Sequence, residues 1–420
     1  MTNFLSEAAS LQDYLQTVRQ TLHRTPELGN QEMKTSAYLK RVLESLGLTV
    51  ENPFGTALCA TLSGAKPGKT VALRADMDAL AITEWTGAEF ASQTPGVMHA
   101  CGHDIHMTAA IGAAILLAAR REILCGTVRF LFEPDEEGSG GAQRFVDAGY
   151  LREVDAIFGA HVSPDLPLGS VGVRYGKFYA ASDTFSSTVR GKSAHGAEPE
   201  KGVDALQAAA RLAIRLTDLR NALCGERCAV TVGMLRAGTA VNIVADSAQL
   251  TGILRTLGPD SRAHMRILVT EAAESIAAQT GTQIDVQIHE SYPGVVNDDS
   301  ASRLVQDTAK QLLGDYNVAI LKQPTLMTED FGYYLSAARG CFYHIGAGCA
   351  VPLHSPYFLP DIQAAITGAA LHAAVMERAL AELGQHRTNA SADSDGFFPP
   401  EMRSENLEIH KVFLLFSAFF

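Results

Sequence analysis

Three apolar runs, each leading into a residue that can carry a proton or bind a metal, constrain this chain more than any other feature. Thr70-Val71-Ala72-Leu73-Arg74 leads into Asp76-Met77-Asp78, residues 127–132 end at Glu133, and residues 156–160 end at His161. Short apolar runs with polar carboxyl ends read as strands buried on both faces. Helical patterns lie before and between them. Leu11, Leu15, Val18 and Leu22 recur at helical spacing, so residues 6–24 should form one amphipathic helix, stopped by Pro26 and Gly29. Further helices fit 32–46, 104–121 and 141–148. Strands alternating with helices predict an α/β domain, a mixed sheet flanked by helices, with its site outside the carboxyl ends of the strands.

The pattern changes near residue 182. A strand at 183–190, a helix at 202–219, strands at 229–235 and 248–256, a helix at 260–279 and a strand at 283–289 follow in turn. That order is βαββαβ, the ferredoxin-like arrangement. Past Pro293 the α/β pattern resumes through a helix at 301–313, a strand at 341–345 and a closing helix at 362–383. For 420 residues, with a length prior of roughly two to three domains, this predicts a discontinuous catalytic domain over 1–180 and 293–386. Residues 181–292 would be an inserted domain. The segment 387–420 is an atypical tail: 387–406 is polar and turn-rich like a linker, and the apolar run 412–420 is too short to span a bilayer as a helix.

Lysine and arginine number 34 against 46 aspartates and glutamates, a net charge of −12, with no long basic block. The electrostatic footprint of a nucleic-acid or anionic-membrane binder is missing, so the expected partner is a small molecule. No basic-then-apolar leader opens the sequence and no apolar run approaches the roughly 20 residues of a membrane helix, which predicts a cytoplasmic protein. The 7 cysteines are odd in number and sit mostly in apolar segments, as reduced thiols do.

The densest chemistry is His99-Ala100-Cys101-Gly102-His103-Asp104-Ile105-His106. Cys101 and His103, in a glycine-containing turn before a helix, can aim a thiolate and an imidazole at one point, and both are ligands for Zn²⁺ and similar ions. A thiol nucleophile activated by His103 is the other chemical reading, and a buried cysteine beside helix-start histidines the structural one. Glu133-Pro134-Asp135-Glu136-Glu137-Gly138 follows a strand. Neighbouring side chains there point apart, so one carboxylate can bind a metal while the next acts as a base; a solvated acidic turn is the ordinary alternative. His161 and His354 fall where strand ends and loops should converge. In the inserted segment, His195 lies in the loop Gly191-Lys192-Ser193-Ala194-His195-Gly196, with Asn242 and Arg255 further on; these could serve an oxyanion and a carboxylate.

Arg74-Ala75-Asp76-Met77-Asp78-Ala79-Leu80, Met98-His99-Ala100-Cys101-Gly102-His103-Asp104, the stretch 132–142, Ala160-His161-Val162, the loop 191–196, Val241-Asn242-Ile243 and His354-Ser355-Pro356 occur here in order. Together they resemble the binuclear metallo-aminoacylase and carboxypeptidase family. The branch is that of hippurate hydrolases, bacterial N-acyl-amino-acid amidohydrolases and plant auxin-conjugate amidohydrolases, and the likeness spans about residues 10–385. The resemblance implies a catalytic domain with an inserted lid and dimerisation domain, and two divalent metal ions (Zn, Mn, Ni or Co). Cys101 would bridge them, His103, Glu137, His161 and His354 would complete the ligands, and Glu136 would be the general base. His195, in relatives often delivered by the partner subunit, would polarise the scissile carbonyl with Asn242. Arg255 matches a substrate-carboxylate position, and Asp78 a carboxylate behind the metal ligands. Asp135 and Glu200 depart from the family pattern and are expected to add negative charge around the mouth.

The expected activity is metal-dependent hydrolysis of N-acyl (acetyl, benzoyl or similar) amino acids or small peptides by a homodimer or higher homo-oligomer joined through the lid. A dipeptidase or carboxypeptidase on the same site, a cysteine hydrolase and a non-catalytic metal-binding protein are the alternatives. Glu136, a carboxylate surplus to the ligand set, weighs against metal storage.

Overall fold

A computed structural model of the chain describes residues 3–223 and 225–392. It opens with α1 (Phe4–Ser10), α2 (Gln12–Arg24) and α3 (Met33–Ser45). The single helix expected over 6–24 is therefore two. The Ser10 hydroxyl donates to the Glu7 carbonyl at 2.6 Å, a local bond that competes with the helical ladder, and Leu11 breaks the run with φ −91° and ψ 3°. Leu15, Val18 and Leu22 are buried as their spacing requires.

There follow β1 (Thr49–Glu51), β2 (Leu58–Ser63), β3 (Lys66–Asp76), α4 (His103–Ala118), β4 (Cys125–Glu133), α5 (Ala142–Asp147), β5 (Ala156–Ser163), β6 (Val171–Val173) and β7 (Gly176–Tyr179). Next come β8 (Ala181–Arg190), α6 (Ala205–Asp218), β9 (Ala229–Ala237), β10 (Ser247–Thr256), α7 (Pro259–Thr280) and β11 (Gln283–Glu290). The chain closes with β12 (Val295–Asn297), α8 (Asp299–Leu313), β13 (Val318–Ile320), α9 (Gly332–Ala337), β14 (Gly340–Gly346) and α10 (Ile362–Ala392).

Eight strands make one mixed sheet in the order β1-β2-β4-β3-β5-β14-β6-β13, parallel through its middle four. The register sets Asp76 beside Glu133 and His161 beside His344 at the carboxyl edge. All three sequence-predicted strands lie in this parallel centre, which is why they read as unbroken apolar runs. On one face α4 and α10 pack against each other and both lie on the sheet, with α2 against α4. Helix α4 buries nearly every side chain, as a helix apolar on all sides must. A Cβ at Gly112 would fall 2.5 Å from the Ala369 Cβ, so glycine is what lets α4 approach α10 so closely. On the other face Phe145 of α5 and Tyr334 of α9 pack with Leu131, Ile157 and Phe342.

The strands between 181 and 290 form a separate antiparallel sheet in the order β11-β8-β10-β9, with α6 and α7 supplying Leu212, Leu216, Met265 and Val269 to a core of its own. β7 and β12, which pair with each other, lie either side of this segment. The closing helix runs past its expected end at 383 to Ala392, so residues 387–392 are helical where a linker was expected. The rest of the tail, with the apolar run 412–420, lies outside the described residues. Among the described residues six cysteines are free, and no helix is long and apolar enough to cross a membrane.

Candidate metal centre

The carboxyl edge of the large sheet opens into a cleft of about 480 Å³ whose lining includes Cys101, Glu136, Glu137, His161 and His354. They arrive from four segments, Glu136 and Glu137 sharing one turn, and each segment is held by a nameable contact. Gly102 has φ +84° and leaves no room for a Cβ, which would meet Val162 Cγ2 at 2.5 Å. This left-handed glycine turns the chain so that Cys101 precedes, and His103 begins, α4. His103 Nδ1–H donates to the Asp78 carbonyl at 2.9 Å and lies 3.2 Å from Asp78 Oδ1. Its Nε2 is buried with no hydrogen-bond partner among the described residues, the Asp76 and Glu137 carboxylates lying 3.8 and 4.0 Å away. Asp78 Oδ2 accepts the Glu137 N–H at 3.0 Å, so one carboxylate orients both the imidazole and the acidic turn. Tyr292 supports the same turn by donating to the Glu136 carbonyl at 2.8 Å.

His161 Nδ1 donates to the Val162 carbonyl at 2.7 Å, which directs Nε2 to within 3.2 Å of Cys101 Sγ. His354 sits at φ +62° with Nε2 3.0 Å from Glu137 Oε1. Donor atoms of Cys101, His103 and His161 lie within 4.8 Å of one another, as do those of Cys101, Glu137 and His354, and of His103, Glu136 and Glu137. All five sequence-predicted ligands and the predicted base thus converge. A histidine whose far nitrogen is fixed by a carboxylate or carbonyl, with its near nitrogen unpartnered, is oriented as a metal ligand is. His106 is not one: Nδ1 donates to Asp76 Oδ1 at 2.6 Å and Nε2 accepts the Val162 N–H at 2.9 Å, so both nitrogens are occupied.

The electrostatics fit a cation. Burial lowers the affinity of His103 for its proton, but Asp76 and Asp78 outweigh this and raise its pKa to about 10. Two carboxylates demand positive charge at that imidazole, and a bound dication supplies it. Burial, with Glu137 and Glu136 adding to it, pushes the Cys101 thiol well above its usual range. That is the reverse of an activated cysteine nucleophile. Beneath the cleft, Arg74 is fully buried and reaches Glu133 (2.7 Å), Asp76 (2.6 Å), Glu329 (3.0 Å) and Asp330 (3.0 Å).

The remaining predicted residues sit apart. His195 is exposed, its Nδ1 accepting the Ala197 N–H at 3.1 Å. Gly196 N–H donates to the Asn242 carbonyl at 2.8 Å, so the two loops meet each other, but neither lines the cleft. Arg255 Nη1 donates at 2.8 Å to the hydroxyl of Ser182, which does line it. Asp135 corrects an expectation. It is buried and adds no charge at the mouth: at φ +62°, its carboxylate accepts from Asn30 at 2.6 Å and from the Ser139 N–H at 3.0 Å, closing the turn. Tyr179 and Glu329 also line the cleft and were not singled out from the sequence. Glu329 had a signal, an acidic pair with Asp330 in a loop of the α/β part; Tyr179 had none.

Fold and centre together define a metal-dependent hydrolase of amide bonds, with a donor set that fits two divalent ions. Residues 72–378 match peptidase family M20/M25/M40, and the chain belongs to that family. It is 35% identical over 361 residues to the N-acetyl-L-cysteine deacetylase of Bacillus subtilis, covering 85% of this chain and 86% of the relative. It is 35% identical over 395 residues to an IAA-amino acid hydrolase of Arabidopsis thaliana, covering 91% and 89%. Among solved structures, a dinuclear metal binding peptidase of the M20 family from Bacillus subtilis superposes with TM-score 0.81 and 33% identity over 89% of this chain and 99% of that one.

Proposed function

We propose that the protein cleaves N-acyl amino acids, with acetyl, benzoyl or similar acyl groups, to a carboxylic acid and a free amino acid. The observation that carries the reading is Glu136: a buried carboxylate in the cleft, surplus to five convergent donors and next to one of them. Cys101, His103, Glu137, His161 and His354 would hold two divalent ions, which when bound would supply Lewis acidity to water and to the scissile carbonyl. Glu136 takes the proton of the attacking water as the C–O bond forms, then hands it to the amine nitrogen as the C–N bond breaks. Asp78 orients His103 and the Glu137 turn. Arg255, one hydroxyl behind the cleft wall, receives the substrate carboxylate with Ser182.

Residues 1–180 and 293–386 are read as the catalytic domain and 181–292 as an inserted ferredoxin-like lid and dimerisation domain. Support comes from the βαββαβ order, the separate core and the edge position of β9, with Met234 and Leu235 exposed on it. The enzyme is read as a cytoplasmic homodimer. A hydrolysis screen over N-acetyl, N-benzoyl and dipeptide substrates, with metal-depleted and metal-restored protein side by side, tests the substrate class. Hydrolysis of dipeptides alone would move the assignment to a dipeptidase.

Replacing Cys101 with serine should reduce metal occupancy, because a hydroxyl is a poorer ligand than a thiolate. Elemental analysis of the purified variant decides this; full occupancy in a dead enzyme would restore the thiol-nucleophile reading. His195, distant in sequence from every proposed ligand, is assigned to the carbonyl oxygen, with Asn242, in the partner's site. Mixed and reassociated His195→Ala and Glu136→Gln proteins, each nearly inactive, should then recover activity near a quarter of wild type, the order expected when about half the dimers are hybrids with one competent site. Verified subunit exchange without recovery would remove His195 from that role.

A further inference from the structure

Glu329 is only 2% exposed yet lines the cleft. Both of its protein bonds fall on one oxygen: Oε1 pairs with Arg74 Nη2 at 3.0 Å and accepts the Phe331 N–H at 3.1 Å. Oε2 has no partner among the described residues and is the oxygen left to whatever fills the cleft. Both oxygens of its neighbour Asp330 already have a partner, Oδ1 in Arg74 and Oδ2 in the Ala142 N–H, each at 3.0 Å. Carboxylate oxygens of Glu136, Glu329 and Asp330 lie within 4.8 Å of one another. Glu136 and Glu329 line the cleft and Asp330 does not, so a pair of carboxylates faces one volume.

We propose that Glu329 is a catalytic residue that holds the scissile nitrogen: Oε2 accepts the amide N–H in the bound substrate and keeps that hydrogen bond as the nitrogen becomes the leaving amine. The inference rests on the assignment of Glu136 as base and adds a second contact to the same atom. A nitrogen with two acceptors at about 2.9 Å in tetrahedral directions separates those acceptors by about 4.7 Å, and carboxylate oxygens of Glu136 and Glu329 lie within 4.8 Å of one another, close enough for one nitrogen to reach both. The amide offers its one hydrogen to Glu329 while its lone pair, freed as the carbonyl carbon becomes tetrahedral, faces the proton on Glu136. When Glu136 delivers that proton and the C–N bond breaks, the amine carries away both hydrogens. A carboxylate oxygen at this position favours the nitrogen most when it is positively charged. Such a contact strengthens in the transition state.

The test compares an N-acetyl amino acid with its ester isostere, in which oxygen replaces the amide nitrogen and no N–H exists. In Glu329→Gln, kcat/KM on the amide should fall on the order of 10- to 100-fold, the worth of a charge-assisted hydrogen bond, and by at least about tenfold more than on the ester. Metal content should match wild type. Equal losses on amide and ester, no loss on either, or loss of metal would each overturn the assignment. Should the glutamine variant not fold, Glu329→Asp, which withdraws the oxygen while keeping its charge for Arg74, is read by the same amide-to-ester ratio. Wild-type cleavage of both substrates, abolished in Glu136→Gln, is the control: its absence would count against the proposed function, not against Glu329.

Discussion

In Glu136→Gln, kcat on an N-acyl amino acid should fall by about 10² to 10⁴ while metal content stays at the wild-type level, since removal of a general base typically costs this much. The amide keeps the shape of the side chain and cannot accept the proton of water. Glu136 is well placed for that task. Burial, then the charges of Glu329, Glu137 and Asp330, push its pKa well above the usual carboxylate range, which makes it a stronger base than a solvated glutamate. Glu137, one residue on, faces His354 and His103, whose influence outweighs burial and lowers its pKa. Adjacent carboxylates pushed in opposite directions are suited to different work, proton transfer and ligation. Metal content and kcat measured on one preparation decide the matter: substantial residual turnover at full occupancy would remove Glu136 from the base role.

The second large effect is on stability. Arg74→Met should destabilise the fold by about 3–5 kcal/mol, the usual consequence of removing one partner from a buried ionic group. Against a typical total of roughly 5–15 kcal/mol this leaves a marginal protein or none. The methionine fills most of the space, so loss of packing is minor; the loss is electrostatic. Asp76, Glu133, Glu329 and Asp330 are all buried and all pair with this guanidinium. Each keeps one other donor, Glu133 the Tyr334 hydroxyl, Asp76 His106, Glu329 the Phe331 N–H and Asp330 the Ala142 N–H, so compensation without Arg74 is only partial. Urea midpoints of wild type and variant give the answer, and a difference below about 1 kcal/mol would mean that the carboxylates are protonated or otherwise satisfied without Arg74.

The parallel centre of the large sheet was legible because strands buried on both faces leave long apolar runs with a sharp polar end; of those ends His161 lines the cleft, while Asp76 and Glu133 lie beneath it around Arg74. β6, β12 and β13 were not, because three residues carry no periodicity. The split between α1 and α2 hangs on a single serine bond that spacing cannot reveal. At the centre, the motifs that carry the family resemblance supplied the five donors and Glu136. Arg74 stood inside a recognised motif, but its four partners come from three segments, and only the folded chain brings Glu329 and Asp330 beside it. The placement of Asp135 was misread for a related reason: a carboxylate in an acidic run looks solvated unless Asn30, 105 residues away, is known to bind it.

The central claim is that this chain hydrolyses an N-acyl bond with two divalent ions bound by Cys101, His103, Glu137, His161 and His354. The most direct test removes the metal, titrates divalent zinc or manganese back into the protein, and follows hydrolysis of an N-acetyl amino acid beside bound metal per chain. Activity should be absent in the metal-free protein, rise with metal, and reach its plateau at two equivalents. Full activity without metal, or two ions bound with no hydrolysis of any N-acyl amino acid, would contradict the account.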